Sequence, residues 1–255
     1  MVQLAANLTM MFNEIAFLKR FAAARDAGFN AVECLFPYDH PADTIGAALR
    51  AQSLTPALFN LPPGDWTAGD RGMAALPDRR AEFRASVELA LAYAAATGVK
   101  RLHVMSGLAP RSDQMARATY AESLRLAADK AGEAGLDILI EPLNSRDMPG
   151  YFLNDFNFAA DLIADLGLPN LRLQFDIYHR QVIHGDVLMG LKTLMPLIGH
   201  VQIAAVPARH EPGSGELDDF RILRALDELG YRGFVGCEYR PANGTVAGLA
   251  WRDRL

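Results

Sequence analysis

Four polar residues stand where four apolar runs stop. Glu141 closes the run from Leu136 to Ile140, and Asp176 closes Leu171 to Phe175. Gln202 lies near the end of Ile198 to Ile203, and Glu238 closes Phe234 to Cys237. Three carboxylates brought together without a cation repel one another and take up protons. A divalent metal removes that conflict. Three carboxylates and one amide carbonyl form an all-oxygen ligand set, which selects Mg²⁺ or Mn²⁺ over Zn²⁺. Any one of these residues taken alone reads as a helix cap or a salt-bridge partner. Four in succession, each at the end of an apolar run, favour a metal site at Glu141, Asp176, Gln202 and Glu238.

A second group has the chemistry to hold a substrate. His179 follows Asp176 by three residues, so it either donates a hydrogen bond to a bound oxygen or simply packs at a helix start. Arg209 lies in a loop rich in Pro and Gly, Val206 to Gly213. There its guanidinium fork either grips a substrate carboxylate through paired bonds or pairs with Glu211 in solvent. His103 and Glu33 either face the interior of the fold as functional groups or, the favoured reading, are satisfied polar groups of the core. Trp66, on a long loop from Leu61 to Pro77, either packs that loop down or walls the pocket.

These residues need a scaffold that brings strand ends together. The pattern along the chain predicts strands at Val2 to Ala6, Phe29 to Leu35, Pro56 to Asn60, Val99 to Met105, Leu136 to Ile140, Leu171 to Asp176, Ile198 to Ile203 and Phe234 to Glu238. Helical spacing follows each of the first seven. Asn13 is placed as the cap of the first helix, which Gly28 stops. Later helices are expected over about 42–52, 78–97, 112–134, from a cap at Asn154 or Asp155 to Gly167, over about 186–195, and from Leu217 or Asp218 to Gly230. A weaker helical stretch lies in 243–255. Strands alternating with helices imply a parallel sheet. Eight such units imply closure into a single (β/α)8 barrel domain spanning residues 1–255, a TIM barrel. The first strand is not followed by GxGxxG, so a dinucleotide fold lacks its usual mark.

The bulk numbers restrict the partners. The chain has 255 residues and a formal net charge of −5. No basic stripe is visible, which argues against a nucleic-acid partner. No apolar run is long enough to span a bilayer, and no signal peptide is visible, so the expected location is the cytoplasm with no membrane partner. Cys34 and Cys237 lie in apolar runs without CxxC spacing and read as buried thiols. A homo-oligomer remains open.

The chain resembles the hydroxypyruvate isomerase family, which includes the 2-oxo-tetronate isomerases, within the xylose-isomerase-like barrels. The stretches that carry the resemblance are Ala6 to Phe12, Leu35 to Tyr38, Asn60 to Trp66, Ile140 to Pro142, Gln174 to His179, His200 to Ala204, Glu211 to Glu216 and Gly236 to Tyr239. They run in order over nearly the whole chain. The resemblance implies a metal on Glu141, Asp176, Gln202 and Glu238, with Glu141 and Glu238 as proton donor and acceptor. It implies substrate contacts from His179 and Arg209, a small hydroxy-oxo acid as substrate, and no organic cofactor. The implied reaction interconverts hydroxypyruvate and 2-hydroxy-3-oxopropanoate through an enediolate. The alternatives are a 2-oxo-tetronate isomerase, a ketose epimerase or, less well matched, a metal-dependent endonuclease. Two departures stand out. Ala205 replaces a common acidic residue, which is expected to touch the pocket rim. The family's Glu-Arg-Gly is here Asp70-Arg71-Gly72.

Overall fold

The computed structural model describes residues 2–255. Its strands are β1 (Gln3–Asn7), β2 (Ala31–Cys34), β3 (Thr55–Asn60), β4 (Arg101–His103), β5 (Asp137–Ile140), β6 (Leu171–Asp176), β7 (Ile198–Ile203) and β8 (Phe234–Cys237). They pair in parallel in sequence order, and β1 pairs with β8 to close the barrel. The helices are α1 (Phe17–Asp26), α2 (Ala42–Ala51), α3 (Arg80–Thr97), α4 (Gln114–Glu133), α5 (Phe156–Leu166), α6 (Ile177–Ile183), α7 (Val187–Leu194), α8 (Asp219–Glu228) and the short α9 (Thr245–Gly248). This is the (β/α)8 barrel that the alternation predicts.

Local sequence sets the boundaries. Asp113, Asp155 and Asp218 each turn a side-chain oxygen to free backbone N–H groups at the starts of α4, α5 and α8. Such caps satisfy donors that a helix start leaves open. Gly98 and Gly167 end α3 and α5 in the left-handed conformation that glycine adopts without cost. Asn13 does not cap the first helix. Helix α1 starts at Phe17, and the Asn13 side chain instead donates to Met10 O and accepts from Arg20. The helix expected from Asp78 is preceded by a 3-10 turn, Pro77–Arg79. Helix α6 went unseen in the sequence because it is only seven residues long and begins directly on the last residue of β6.

The apolar core lies between the barrel and its helices, with Tyr120 and Leu124 of α4 and Phe156 of α5 fully buried against it. Small side chains, Ala5, Ala31 and Ala57, form a separate cluster on β1, β2 and β3. Above this apolar layer each strand contributes a buried polar residue within one residue of its C-terminal end. They are Asn7, Glu33, Asn60, His103, Glu141, Asp176, Gln202 and Glu238, none more than 5 % exposed. Register keeps them level. Asn7 pairs with Glu33, Asn60 with His103, and Asp176 with Gln202. Cys34 and Cys237 are buried free thiols, as expected. Among the described residues no helix is long and apolar enough to cross a membrane.

Gly236 makes room for this layer. A Cβ at Gly236 would lie 2.3 Å from the Glu33 carboxylate. Gly236→Ala is therefore expected to lower stability by about 1–3 kcal/mol, the usual cost of overpacking a core. Urea unfolding checks this, and an unchanged midpoint would contradict it.

Candidate active site

Asp176 shows how a strand end becomes a site. Its Oδ1 accepts from Tyr178 N at 2.7 Å and caps α6. Its Oδ2 turns the other way, 3.5 Å from Arg209 Nη2 and 3.7 Å from His179 Nε2. The carboxylate thus caps the helix with one oxygen and turns the other toward Arg209 and His179.

Two side chains tie the four strand-end residues into two pairs. Gln174 Nε2 donates to Glu141 Oε2 at 2.8 Å and to Gln202 Oε1 at 2.6 Å. Arg209 Nη2 bridges Asp176 and Glu238, lying 3.2 Å from Glu238 Oε2. Glu141 is thus tied to Gln202 and Asp176 to Glu238, and the two pairs meet where Glu141 and Asp176 each bring a carboxylate oxygen within 4.8 Å of the other. Arg209 does not pair with Glu211 in solvent. Its side chain is 11 % exposed and reaches inward, also meeting Asp147 at 3.4 Å and lying over the Tyr178 ring at 4.9 Å. Its backbone holds a left-handed φ of 56°, uncommon for arginine. Hydrogen bonds to Ala205 O and from Arg240 N fix that turn. Ala205 is 1 % exposed and contributes no side chain to the cavity wall, so this departure does not touch the rim as expected.

The tautomer of His179 follows from its partners. Asn144 Oδ1 accepts from the N–H groups of Arg146 and Asp147, so its Nδ2 is the donor toward His179. His179 Nδ1 then receives both Asn144 N at 3.0 Å and Asn144 Nδ2 at 2.8 Å. A ring nitrogen that accepts carries no proton, so Nε2 holds it. Glu141, Asp176 and His179 each bring an atom into one group within 4.8 Å. Yet Nε2–H points a donor, not a lone pair, at that group. Burial, and then Arg209, hold His179 well below the usual histidine range, so the ring stays neutral.

Glu33 orients Gln202. Glu33 Oε1 accepts from Gln202 Nε2 at 2.8 Å and Asn7 Nδ2 at 2.9 Å, while Oε2 meets His200 Nε2 at 2.7 Å. Glu33 is the satisfied core group expected of it. His103 is not. It is 1 % exposed and lines the cavity, but neither ring nitrogen has a hydrogen-bond partner. Gln174 and His200 were missed in the sequence, although a signal existed. Side chains two apart on a strand share a face, so Gln174 accompanies Asp176 and His200 accompanies Gln202.

The cavity above these residues measures about 200 Å³. Glu141, Glu238, His179, Arg209 and His103 line its depth, and Trp66, Arg71 and Arg240 also line it. Trp66 thus walls the pocket, its ring 5.3 Å from Phe36 and under Arg71 at 4.0 Å. The loop carrying it is fixed, since Asp70 holds Arg79 at 3.1 Å and Ala75 N donates to Ser106 O at 2.7 Å.

The cluster is short of positive charge. Burial, then the charges of Glu238 and Asp176, push Glu141 well above the usual carboxylate range. Burial raises Asp176 to about 6 and Glu238 to about 8, though Arg209 pulls both down. Glu141 Oε1 has no hydrogen-bond partner. Gln202 Oε1 accepts one bond and keeps a second lone pair. An unpartnered carboxylate oxygen, all-oxygen donors and excess negative charge fit a hard divalent cation.

The Xylose isomerase-like TIM barrel model matches residues 21–255. The chain belongs to that family. A 2-oxo-tetronate isomerase of Cupriavidus necator is 54 % identical over 98 % of this chain and 97 % of its own. The hydroxypyruvate isomerase of Escherichia coli is 42 % identical over 99 % of each. The crystal structure of AP endonuclease, family 2 from Brucella melitensis matches with a TM-score of 0.98 at 47 % identity, covering 100 % of this chain and 99 % of that one. With such relatives this xylose isomerase-like barrel is an enzyme of the isomerase class.

The raised carboxylates make stability depend on pH. Asp176 and Glu238 titrate at about 6 and about 8 in the fold, against ordinary values of 3.8 and 4.5. Between those limits the folded chain binds protons that the unfolded chain has lost. Stability therefore falls as pH rises from about 5 to about 8, and a bound divalent cation is expected to remove the fall. Thermal unfolding of chelator-treated protein, with and without added Mg²⁺ or Mn²⁺, checks this. A Tm that rises with pH in the chelated protein would contradict it.

Proposed function

We propose that this barrel isomerises a short hydroxy-oxo acid, moving its carbonyl between C2 and C3 through an enediolate. The observation that carries the reading is the buried pair Glu141 and Glu238, just past the ends of strands β5 and β8, in one small cavity with Arg209 between Glu238 and Asp176. A 2-oxo-tetronate is the first substrate, supported by the relative at 54 % identity. Hydroxypyruvate is the second, supported by the relative at 42 %. The two acids react at the same carbons, and the tetronate adds one hydroxymethyl group.

Removing a proton from carbon beside a carbonyl is the hard step. One glutamate takes that proton, and the other returns a proton to the neighbouring carbon or manages the hydroxyl proton. The Arg209 guanidinium lies 3.2 Å from Glu238 and partly offsets the rise that burial gives that carboxyl. Burial raises both carboxyls and Arg209 lowers both, so the cavity holds a glutamate pair able to take up and give back a proton. His179 Nε2–H donates to a substrate oxygen, and Arg209, whose Nε has no partner, offers a donor to the acid group. Arg71 and Arg240 add positive charge to the same cavity. Glu141, Asp176, Gln202 and Glu238 would hold Mg²⁺ or Mn²⁺. When bound, such an ion stabilises negative charge developing on substrate oxygens. No organic cofactor enters the reading, because the substrate supplies both the oxidised and the reduced carbon.

The Brucella relative's description as an AP endonuclease favours a rival reading, DNA cleavage. The net charge of −5 and a small cavity walled by carboxylates oppose it.

Glu141→Gln and Glu238→Gln are each expected to lower kcat by about 10³-fold or more, the upper part of the range for losing a general acid or base, with the fold intact by circular dichroism. Rates on a 2-oxo-tetronate, hydroxypyruvate and a neutral ketohexose, with duplex DNA as control, decide the substrate. Turnover of the ketohexose alone, or cleavage of the DNA, would overturn the proposal.

A further inference from the structure

Of the three histidines buried in the barrel interior, two are tied to the protein. His179 is held by Asn144, and His200 by Glu33. His103, at the end of β4, is held by nothing. Both ring nitrogens lack a partner, and Glu141 Oε2 lies 3.7 Å from Nδ1, too far for a hydrogen bond. Its neighbour in register on β3, Asn60, is 2 % exposed and leaves Oδ1 unpartnered. Both residues line the cavity that holds Glu141 and Glu238. Leaving a buried polar group unpaired is costly, because it has lost its hydrogen bonds to water and gained none in return. Two adjacent ones at a cavity wall call for a ligand that pairs them.

The chemistry of the wall selects the group it pairs with. Asn60 Oδ1 accepts hydrogen bonds only. A neutral imidazole accepts through one nitrogen and donates through the other. A hydroxyl meets both needs, because it gives and accepts a hydrogen bond. A carboxylate could not satisfy Asn60 Oδ1. We propose that Asn60 and His103 form a hydroxyl-binding wall that reads the C3 hydroxyl of the substrate beside Glu141. This rests on the hydroxy-oxo acid reading and deepens it. The hydroxyl, held there, sets which carbon is presented to the glutamate. An acid lacking the hydroxyl leaves the two groups unpaired and is rejected. Sites built to bond a hydroxyl reject the analogue lacking it far more strongly than a pocket can reject a methylene.

The test compares Kd values by calorimetry for two pairs of acids. One pair is hydroxypyruvate and pyruvate. The other is a 2-oxo-tetronate and 4-hydroxy-2-oxobutanoate, which lacks only the C3 hydroxyl. Wild-type protein carrying Mg²⁺ is expected to favour the hydroxylated member by about 10²-fold or more. His103→Leu should cut that preference to a few-fold, and His103→Gln, which keeps a donor and an acceptor, should restore part of it. Thermal unfolding separates this role from a structural one. Replacing an unpaired buried ring with an apolar side chain is expected to leave Tm unchanged or raise it.

An undiminished preference in His103→Leu would overturn the proposal. A marked fall in Tm in that variant would do so as well, since it would show that the ring supports the fold. Failure of wild-type protein to bind either hydroxylated acid would instead overturn the substrate reading. The Tm of His103→Leu would still decide whether the ring is held for a ligand.

Discussion

Three carboxylates buried with one guanidinium set the terms for the rest of this structure. Arg209 lies against Asp176 and Glu238 but leaves Glu141 without a cation at ion-pair distance among the described residues. Taking charges out of water is expensive, and mutual repulsion adds to the cost. The fold tolerates the cluster because the eight strands hold it from below with a large apolar shell. The stability stored in that shell is spent on keeping the charges close.

Orientation of the cluster depends on amide and carboxylate groups around it. Glu33 fixes Gln202 by its N–H group, so that the carbonyl oxygen turns to Gln174. Asn144 fixes His179 by its acceptor nitrogen, so that the donor turns to the cavity. Each bond decides which atom of a two-faced side chain meets the site. A substitution at Glu33 or Asn144 therefore acts on chemistry without touching substrate.

Much of this was legible in the chain. Strand periodicity and strand-end polar residues disclosed the barrel and placed Glu141, Asp176, Gln202 and Glu238 together, because consecutive barrel strands are neighbours. Other features were not legible. Asn13 has the residue type of a cap, but Arg20 draws its side chain away. Helix α6 is too short for periodicity to show. Arg209 sits in a loop whose left-handed turn only tertiary contacts fix, so its inward course could not be read from spacing. His103 looked like a core histidine because nothing in sequence distinguishes a paired ring from an unpaired one. That difference lies in what the neighbouring strands fail to offer it.

The most direct test of the account is a crystal structure of the protein soaked with Mn²⁺, with anomalous data collected at a wavelength where manganese scatters strongly. The account predicts one anomalous peak among Glu141, Asp176, Gln202 and Glu238. The Arg209 guanidinium should be drawn back from Asp176, and His179 should remain unligated. No peak at these residues, or a peak coordinated by His179, would contradict it.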